Sequence, residues 1–404
     1  MPKLVHNRAL IITSRHEDVG MHLQRGIRAC IWMSGVLALS ACHRQGPAGA
    51  VIIGQASPLT GQQAAIGKDN ENGVRLAIED VNARHVQIGG RPLILSLDSQ
   101  DDQADPRIAT EVAQKFVDEG AVAVIGHLNS GTTIPASRVY AEAHLPQISP
   151  SATAVRYTHQ GFATAFRLMA NDAQQGQVLG RYVVQGLHAR RIAVIDDRTA
   201  YGQGLADEFV KAAQAAGASI SEREYTDDKA NDFSAILTHI AAQHPDVVFF
   251  GGMYGQAAPM VQQMHRLGLN VPLLGGDGVR TPEFIHLAGA DATGTLASKP
   301  GLPLAAMPQG AAFKARFEQR FGPIQNYAPY AYDAVGVLVA AMQRAQSTDP
   351  RRVLPALAAT RHYAGVTGDL GFDAHGDLRN GPVTLYKVVA GHWQVVQTVN
   401  EVAP

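Results

Sequence analysis

From residue 51 onward the chain alternates short apolar runs with longer stretches in which apolar residues recur at helical spacing. Val51-Ile52-Ile53-Gly54 predicts a strand, and Val74, Ala77, Ile78 and Val81 then fall at i, i+3, i+4 and i+7, one face of a helix. Residues 93–97 predict the next strand, and Ala109, Val112, Ala113, Phe116 and Val117 mark the helix after it. Residues 121–126 show no polar alternation, the pattern of a strand buried on both faces. Three strand–helix units in succession predict a parallel, doubly wound sheet.

The pattern restarts at Arg191-Ile192-Ala193-Val194-Ile195. A helix after Gly204, a strand near Ile220, a helix over 233–242, a strand over 247–250, a helix through Met260 and Met264 to Leu267, and a strand over 271–275 make a second α/β array. Two arrays in one chain predict two similar lobes with a ligand cleft between them. The last third, with helices over 308–321 and 328–345 and strands near 383–390 and 392–397, starts no third array and is expected to complete the first two.

The N-terminus carries a different signal. Residues 31–41 form an apolar run that follows Arg25 and Arg28 and ends in small residues. It is too short to cross a bilayer, which takes about 20 residues, but has the charged, apolar and small-residue regions of an export signal. Leu39-Ser40-Ala41-Cys42 resembles the bacterial lipobox, in which the cysteine is acylated; an ordinary cleaved signal with an incidental cysteine is the alternative. Met21 competes with Met1 as the start, so residues 1–41 are read as leader and signal and 42–50 as a linker. The expected address is periplasmic or cell-surface, with a lipid on Cys42 as the membrane contact.

Composition narrows the function classes. The 404 residues carry 34 basic and 35 acidic side chains, so no excess of positive charge favours a nucleic-acid partner. Removing residues 1–41 takes away five basic and two acidic groups and leaves a mildly acidic body of 29 against 33. Both cysteines, Cys30 and Cys42, lie in or beside the leader, which leaves the body without a disulfide framework or a thiolate metal cluster.

Candidate chemistry gathers after strands. Gly126-His127-Leu128-Asn129-Ser130-Gly131-Thr132-Thr133 follows the third strand and opens a helix, where backbone amides and hydroxyls suit a small anion such as a carboxylate. The plain alternative is that Ser130 or Thr132 caps the helix. A second hydroxyl cluster, Ser149-Pro150-Ser151-Ala152-Thr153, is expected at the same sheet edge. In the second array Gly275-Gly276-Asp277-Gly278 presents a carboxylate either to a ligand cation or merely to its own turn. Tyr201-Gly202-Gln203-Gly204 is expected between a strand and a helix.

Enzyme signatures are missing: no nucleophile elbow, phosphate loop or zinc-binding His pair is present. His127 near Ser130 leaves a hydrolase as a minor alternative. The acidic run Asp98, Asp101, Asp102, Asp105 fails as a calcium loop, with Gln103 at its sixth place and Ala109 at its twelfth. Asp105-Pro106 instead reads as a helix start. The 16 histidines show no metal-ligand spacing, and neither metal nor cofactor is expected.

Taken together, 57–67 with Ser57-Pro58-Leu59-Thr60-Gly61, the run 101–106, the two hydroxyl clusters, Tyr201-Gly202-Gln203-Gly204, Gly276-Asp277-Gly278-Val279, Tyr332-Asp333-Ala334 and the run 368–377 resemble, in order and spacing, the leucine/isoleucine/valine-binding proteins of ABC importers. The resemblance implies a type I periplasmic-binding fold: two Rossmann-like lobes with parallel sheets, 51–168 plus 299–378 and 169–298 plus 379–404, joined by a three-strand hinge. It implies a non-enzymatic receptor that takes an amino acid, with branched-chain aliphatic ones leading, and hands it to a permease with its ATPase. A small-molecule or amide sensor of the same fold is the alternative.

Matched motif by motif, the resemblance implies that Ser130 and the Thr153 amide hold the ligand carboxylate. The Ser151 carbonyl, the Thr153 hydroxyl and Asp277 would receive the ammonium, with Ala152 between the two. Tyr201 would cap the ligand, and Leu128, Tyr327, Met253 and Ile66 would line its side chain. Ile66 and Met253 stand where well-known members carry tyrosine, and Asp277 is one methylene shorter than their glutamate. Ala104 and Asn129 occupy the two positions that form a disulfide in many members.

Overall fold

The computed structural model describes residues 49–400. The expected leader, export signal and acylated Cys42 fall outside the described residues. The chain opens with β1 (Val51–Ser57) and α1 (Ala64–Ala83), whose apolar stripe Val74, Ala77, Ile78 and Val81 is buried as its spacing predicts. A short hairpin, β2 (Gln87–Ile88) and β3 (Arg91–Pro92), leads to β4 (Leu95–Asp101), which starts two residues later than the apolar run. Asp105 then caps α2 (Pro106–Asp118) by accepting from the Arg107 and Ile108 amides, with Pro106 in the first turn where its missing N–H costs nothing. Next come β5 (Ala123–Gly126), buried throughout, α3 (Ser130–Glu142), β6 (Gln147–Ser149) and β7 (Ala165–Arg167). The five long-range strands pair in parallel in the order β4-β1-β5-β6-β7.

The chain then crosses to a second sheet through α4 (Asp172–Gln185), β8 (Arg191–Asp196), α5 (Ala200–Ala215), β9 (Ser219–Tyr225), α6 (Ser234–Ala242), β10 (Val247–Gly251), α7 (Tyr254–Arg266), β11 (Leu273–Gly275), α8 (Pro282–Ala288) and β12 (Leu296–Pro300). It returns to pack α9 (Gly310–Phe321), α10 (Ala328–Ala345) and α11 (Pro350–Ala358) with the first sheet's elements, α10 lying on α1. After the hairpin β13 (Tyr363–Ala364) and β14 (Asp369–Leu370) it crosses a third time to β15 (Val383–Val389) and β16 (His392–Val399). The second sheet runs β16-β15-β12-β11-β10-β8-β9, parallel except where β15 pairs antiparallel with β12 and with β16. This is the doubly wound, two-lobed α/β architecture that the two arrays imply.

Two local readings need correction. Tyr201-Gly202-Gln203-Gly204 does not precede its helix; it lies inside the first turns of α5, which Thr199 caps by accepting from the Gly202 amide. No element was expected between 154 and 190, yet β7 and α4 are both there. Gly176 and Gly180 break the apolar rhythm of α4, and the structure gives the reason: α5 crosses there so closely that a Cβ would stand 2.6 Å from the Glu208 carbonyl carbon and 2.5 Å from the Ala213 nitrogen. Among the described residues no helix is long and apolar enough to cross a membrane.

The first and third crossovers are tied together. Arg167, fully buried, donates from Nε and Nη2 to Asp377 Oδ1 at 2.9 and 2.6 Å and from Nη1 to the carbonyls of Ala152 and Ala154 at 3.1 and 2.8 Å. Thr158 and Asn171 also donate to Asp377. Against the cost of burial, Arg167 and these bonds hold the Asp377 carboxyl below its usual range. The same arginine therefore anchors the hinge and shapes the 152–154 loop.

Candidate functional site

In each sheet the loops that matter leave the carboxyl ends of strands beside the point where the strand order reverses, the ordinary place for a ligand in an open α/β sheet. The first lobe contributes the turns after β5 and β6. Ser130 is not a cap: Asn129 holds that position without a side-chain bond, and Ser130 begins the helix. Its Oγ accepts from the Ala154 N–H at 3.1 Å, which fixes the hydroxyl and leaves its proton free to donate. Ser149 Oγ accepts from Ala152 N–H at 2.9 Å and donates to the His127 carbonyl, so the two hydroxyl clusters are bonded into one surface. Ser151 Oγ adds a bond to the Leu128 carbonyl at 3.1 Å. Thr153 is buried, and its hydroxyl has no hydrogen-bond partner.

The second lobe supplies acid. Asp277 is 1% exposed and accepts from Gln175 Nε2 at 2.9 Å, Tyr201 Oη at 3.0 Å and Tyr327 Oη at 2.6 Å. Burial pushes its carboxyl up, and those three donors oppose the shift. Burial and the Asp277 charge push the Tyr201 and Tyr327 hydroxyls well above their ordinary value, so both stay protonated donors. Glycines on both sides let Asp277 reach this position; a Cβ on Gly278 would stand 2.7 Å from the Gly252 carbonyl oxygen and 2.8 Å from Met253 Sδ.

One cavity is lined by Leu128, Asn129, Ser130, Ser151, Tyr201, Met253, Asp277 and Tyr327. The residues singled out from sequence in both arrays thus meet in one place. Ala152 and Thr153 are buried in the loop beside it, and Ile66 packs in the same apolar cluster as Leu128, Tyr201, Met253 and Tyr327. Asp102 and His127 lie behind it: the His127 ring bonds Asp102 through Nδ1 at 2.7 Å and the Tyr140 hydroxyl through Nε2 at 2.9 Å. Both ring nitrogens are used there, which leaves Ser130 without that histidine as a base.

Sequence reasoning missed Asp172, Gln175 and Asn129. Asp172 opens α4, is 1% exposed, and neither carboxyl oxygen has a hydrogen-bond partner. Burial pushes its carboxyl well up and the Asp277 charge adds to the shift, with the neighbouring Thr153 hydroxyl acting against it. A buried carboxylate without a donor is costly and marks a place for a cation or proton. The signal was the Asn171-Asp172-Ala173-Gln174 helix start, where Asn171 and Gln174 form a capping box. For metals, Glu222 and Glu224 of β9 converge with His239 of α6, a grouping invisible in the spacing. His239 already pairs with both carboxylates, at 3.6 and 2.5 Å, on a partly exposed surface outside the cleft.

Two lobes, a shared cleft and opposed polar jaws define a ligand-binding protein, and the chain belongs to the periplasmic binding protein family, whose sequence model matches residues 50–392. Among relatives, it is 36% identical over 337 residues to a Leu/Ile/Val-binding protein homolog 1 of Brucella abortus strain 2308, an alignment that covers 83% of this chain and 90% of that one. Its fold is similar to that of the leucine binding protein LivK of Thermotoga maritima, with a TM-score of 0.81, 26% identity, and 87% and 99% of the two chains covered. The branched-chain amino acid transporter substrate binding protein LivJ of Streptococcus pneumoniae, solved with isoleucine, matches with a TM-score of 0.77 at 25% identity, covering 86% and 98%.

Proposed function

We propose that the protein is the exported substrate-binding component of an ABC importer and takes a free α-amino acid, in the first place a branched-chain aliphatic one, between its lobes. The observation that carries the reading is one cavity in which the hydroxyl Ser130 of the first lobe faces the buried Asp277 of the second. A zwitterion leaving water needs both charges paired, because an unmatched buried charge is heavily penalised. In this reading the Ser130 hydroxyl and Thr153 amide take the carboxylate, and the Ser151 carbonyl, Thr153 hydroxyl and Asp277 take the ammonium. Asp172, with both oxygens unpartnered, joins that group as a second counter-charge.

Leu128, Met253, Ile66 and Tyr327 form the apolar wall, with Tyr201 closing over it, and a flexible methionine there suits a range of aliphatic side chains. The moving bodies are 51–168 plus 299–378 and 169–298 plus 379–404. Each lobe holds half of the charge pairing, so occupancy favours the closed form. The relatives' names support the amino-acid class. A permease with its ATPase is the expected partner, and acylated Cys42 the expected anchor.

A thermal-shift screen of the amino acids and short amides on the soluble body tests this. A ligand at 100 times its dissociation constant adds about 2.7 kcal/mol to stability. Shifts confined to leucine, isoleucine and valine are expected. Shifts from amides alone would favour the sensor alternative, and no shift from any amino acid would overturn the reading.

A further inference from the structure

Lys299 carries a buried amino group that the binding site as described does not use. It sits on β12 at the second crossover, 6% exposed, and forms no ion pair among the described residues. Its Nζ donates to the Asn326 carbonyl at 2.9 Å and lies 6.0 Å from the centre of the Tyr330 ring. Stripping an ammonium of its water is costly, and a methionine would fill the same space without that cost. Its single strong bond therefore points to what it does.

That bond ends on the segment that carries Tyr327. From the first lobe, Asp69 of α1 accepts four backbone N–H groups of this segment, from Gln325 at 2.9 Å, Asn326 at 3.0 Å, Tyr327 at 2.6 Å and Ala328 at 2.8 Å. From β12 of the second sheet, Lys299 holds the Asn326 carbonyl, and the Asn326 side chain donates to the Asp277 carbonyl at 3.1 Å. With the segment held at both ends, the Tyr327 hydroxyl lies on Asp277 Oδ2 at 2.6 Å. We propose that Lys299 is a positioning residue of the cleft: it fixes the 325–327 segment against the second sheet, and through it sets Tyr327 on Asp277 and slows release of the ligand. Its consequence for ligand rests on the amino-acid reading above; its consequence for the segment does not.

The experiment compares Lys299→Met and Lys299→Arg with the parent protein, each also in a Tyr327→Phe background, using L-leucine as probe. Lys299→Met is expected to raise the dissociation constant about tenfold, the scale of one buried hydrogen bond, mainly through the off-rate, and Lys299→Arg to restore most of it. In the Tyr327→Phe background the same substitution should add less than about twofold, because its effect runs through that hydroxyl. Equal effects in both backgrounds, or an unchanged dissociation constant, overturn the proposal. Hydrogen exchange of the 325–328 amides in ligand-free protein gives a second readout: faster exchange in Lys299→Met supports the proposal and unchanged exchange overturns it, whether or not leucine binds. If the parent protein takes no amino acid, the functional reading fails and this readout decides on Lys299 alone.

Discussion

The Tyr327 hydroxyl of the first lobe donates to Asp277 Oδ2 of the second at 2.6 Å, so the acid at the centre of the cleft is bonded across the lobe boundary by the protein itself. Gln175 and Tyr201 hold its other oxygen from the second lobe. The contact across the cleft thus includes a tyrosine of the protein itself.

Tyr327→Phe is expected to keep the fold and to weaken L-leucine binding by about tenfold, in line with one bond to a carboxylate. Titration calorimetry reads the change; an unaltered dissociation constant would remove Tyr327 from closure.

The two acids of the second lobe divide differently. Asp277 already has three donors, whereas Asp172 has only the Thr153 hydroxyl beside it, and burial with the Asp277 charge has pushed its carboxyl well up. An ammonium arriving beside Asp172 would bring that value down, so binding should release a proton, and affinity should fall as pH drops through the raised value. Calorimetry in buffers of different ionisation enthalpy measures the proton count. Asp172→Asn should abolish the release while Asp277→Asn retains it; a release identical in Asp172→Asn would shift the role elsewhere.

Much of this was readable in advance because it lies in strand-end loops. Ser130, Tyr201 and Asp277 each follow an apolar strand and Thr153 follows the short β6, and the doubly wound pattern sends such loops to one edge. Asp172 and Gln175 escaped because they belong to a helix whose glycines, needed for the close crossing with α5, erase its periodicity. Lys299 escaped for another reason: a lysine on a five-residue strand is ordinarily solvated, and only the tertiary fold shows that it is buried. The start of α5 ahead of Tyr201 followed from Thr199, a cap that the glycine pair concealed.

The hinge predicts a stability effect separate from binding. Asp377→Ala leaves the fully buried Arg167 without its carboxylate and should cost about 3–5 kcal/mol in urea unfolding. A loss below about 1 kcal/mol would mean that the pair adds little beyond solvent-exposed pairs.

Lys299 gives stability a pH signature. Burial pushes its ammonium down to about 7 from 10.5, with Arg280 adding to the shift and Asp69 and Asp277 opposing it. Tyr330 also faces it, through its ring. Between these values the unfolded chain binds the proton and the folded one does not, so stability should rise as pH climbs from 7 to 9 and be lost as pH falls back. Lys299→Met should flatten that slope in urea titrations; an equal slope in both proteins would place Lys299 in water.

The charge pairing itself is tested most directly by calorimetric titration with L-leucine beside 4-methylpentanoic acid, which lacks the ammonium, and leucinamide, which lacks the carboxylate. L-leucine alone should bind, with each analogue weaker by a factor of at least about a hundred, since each leaves one set of buried polar groups unmatched. Binding of either analogue as tight as that of L-leucine would contradict a site built to hold both charges.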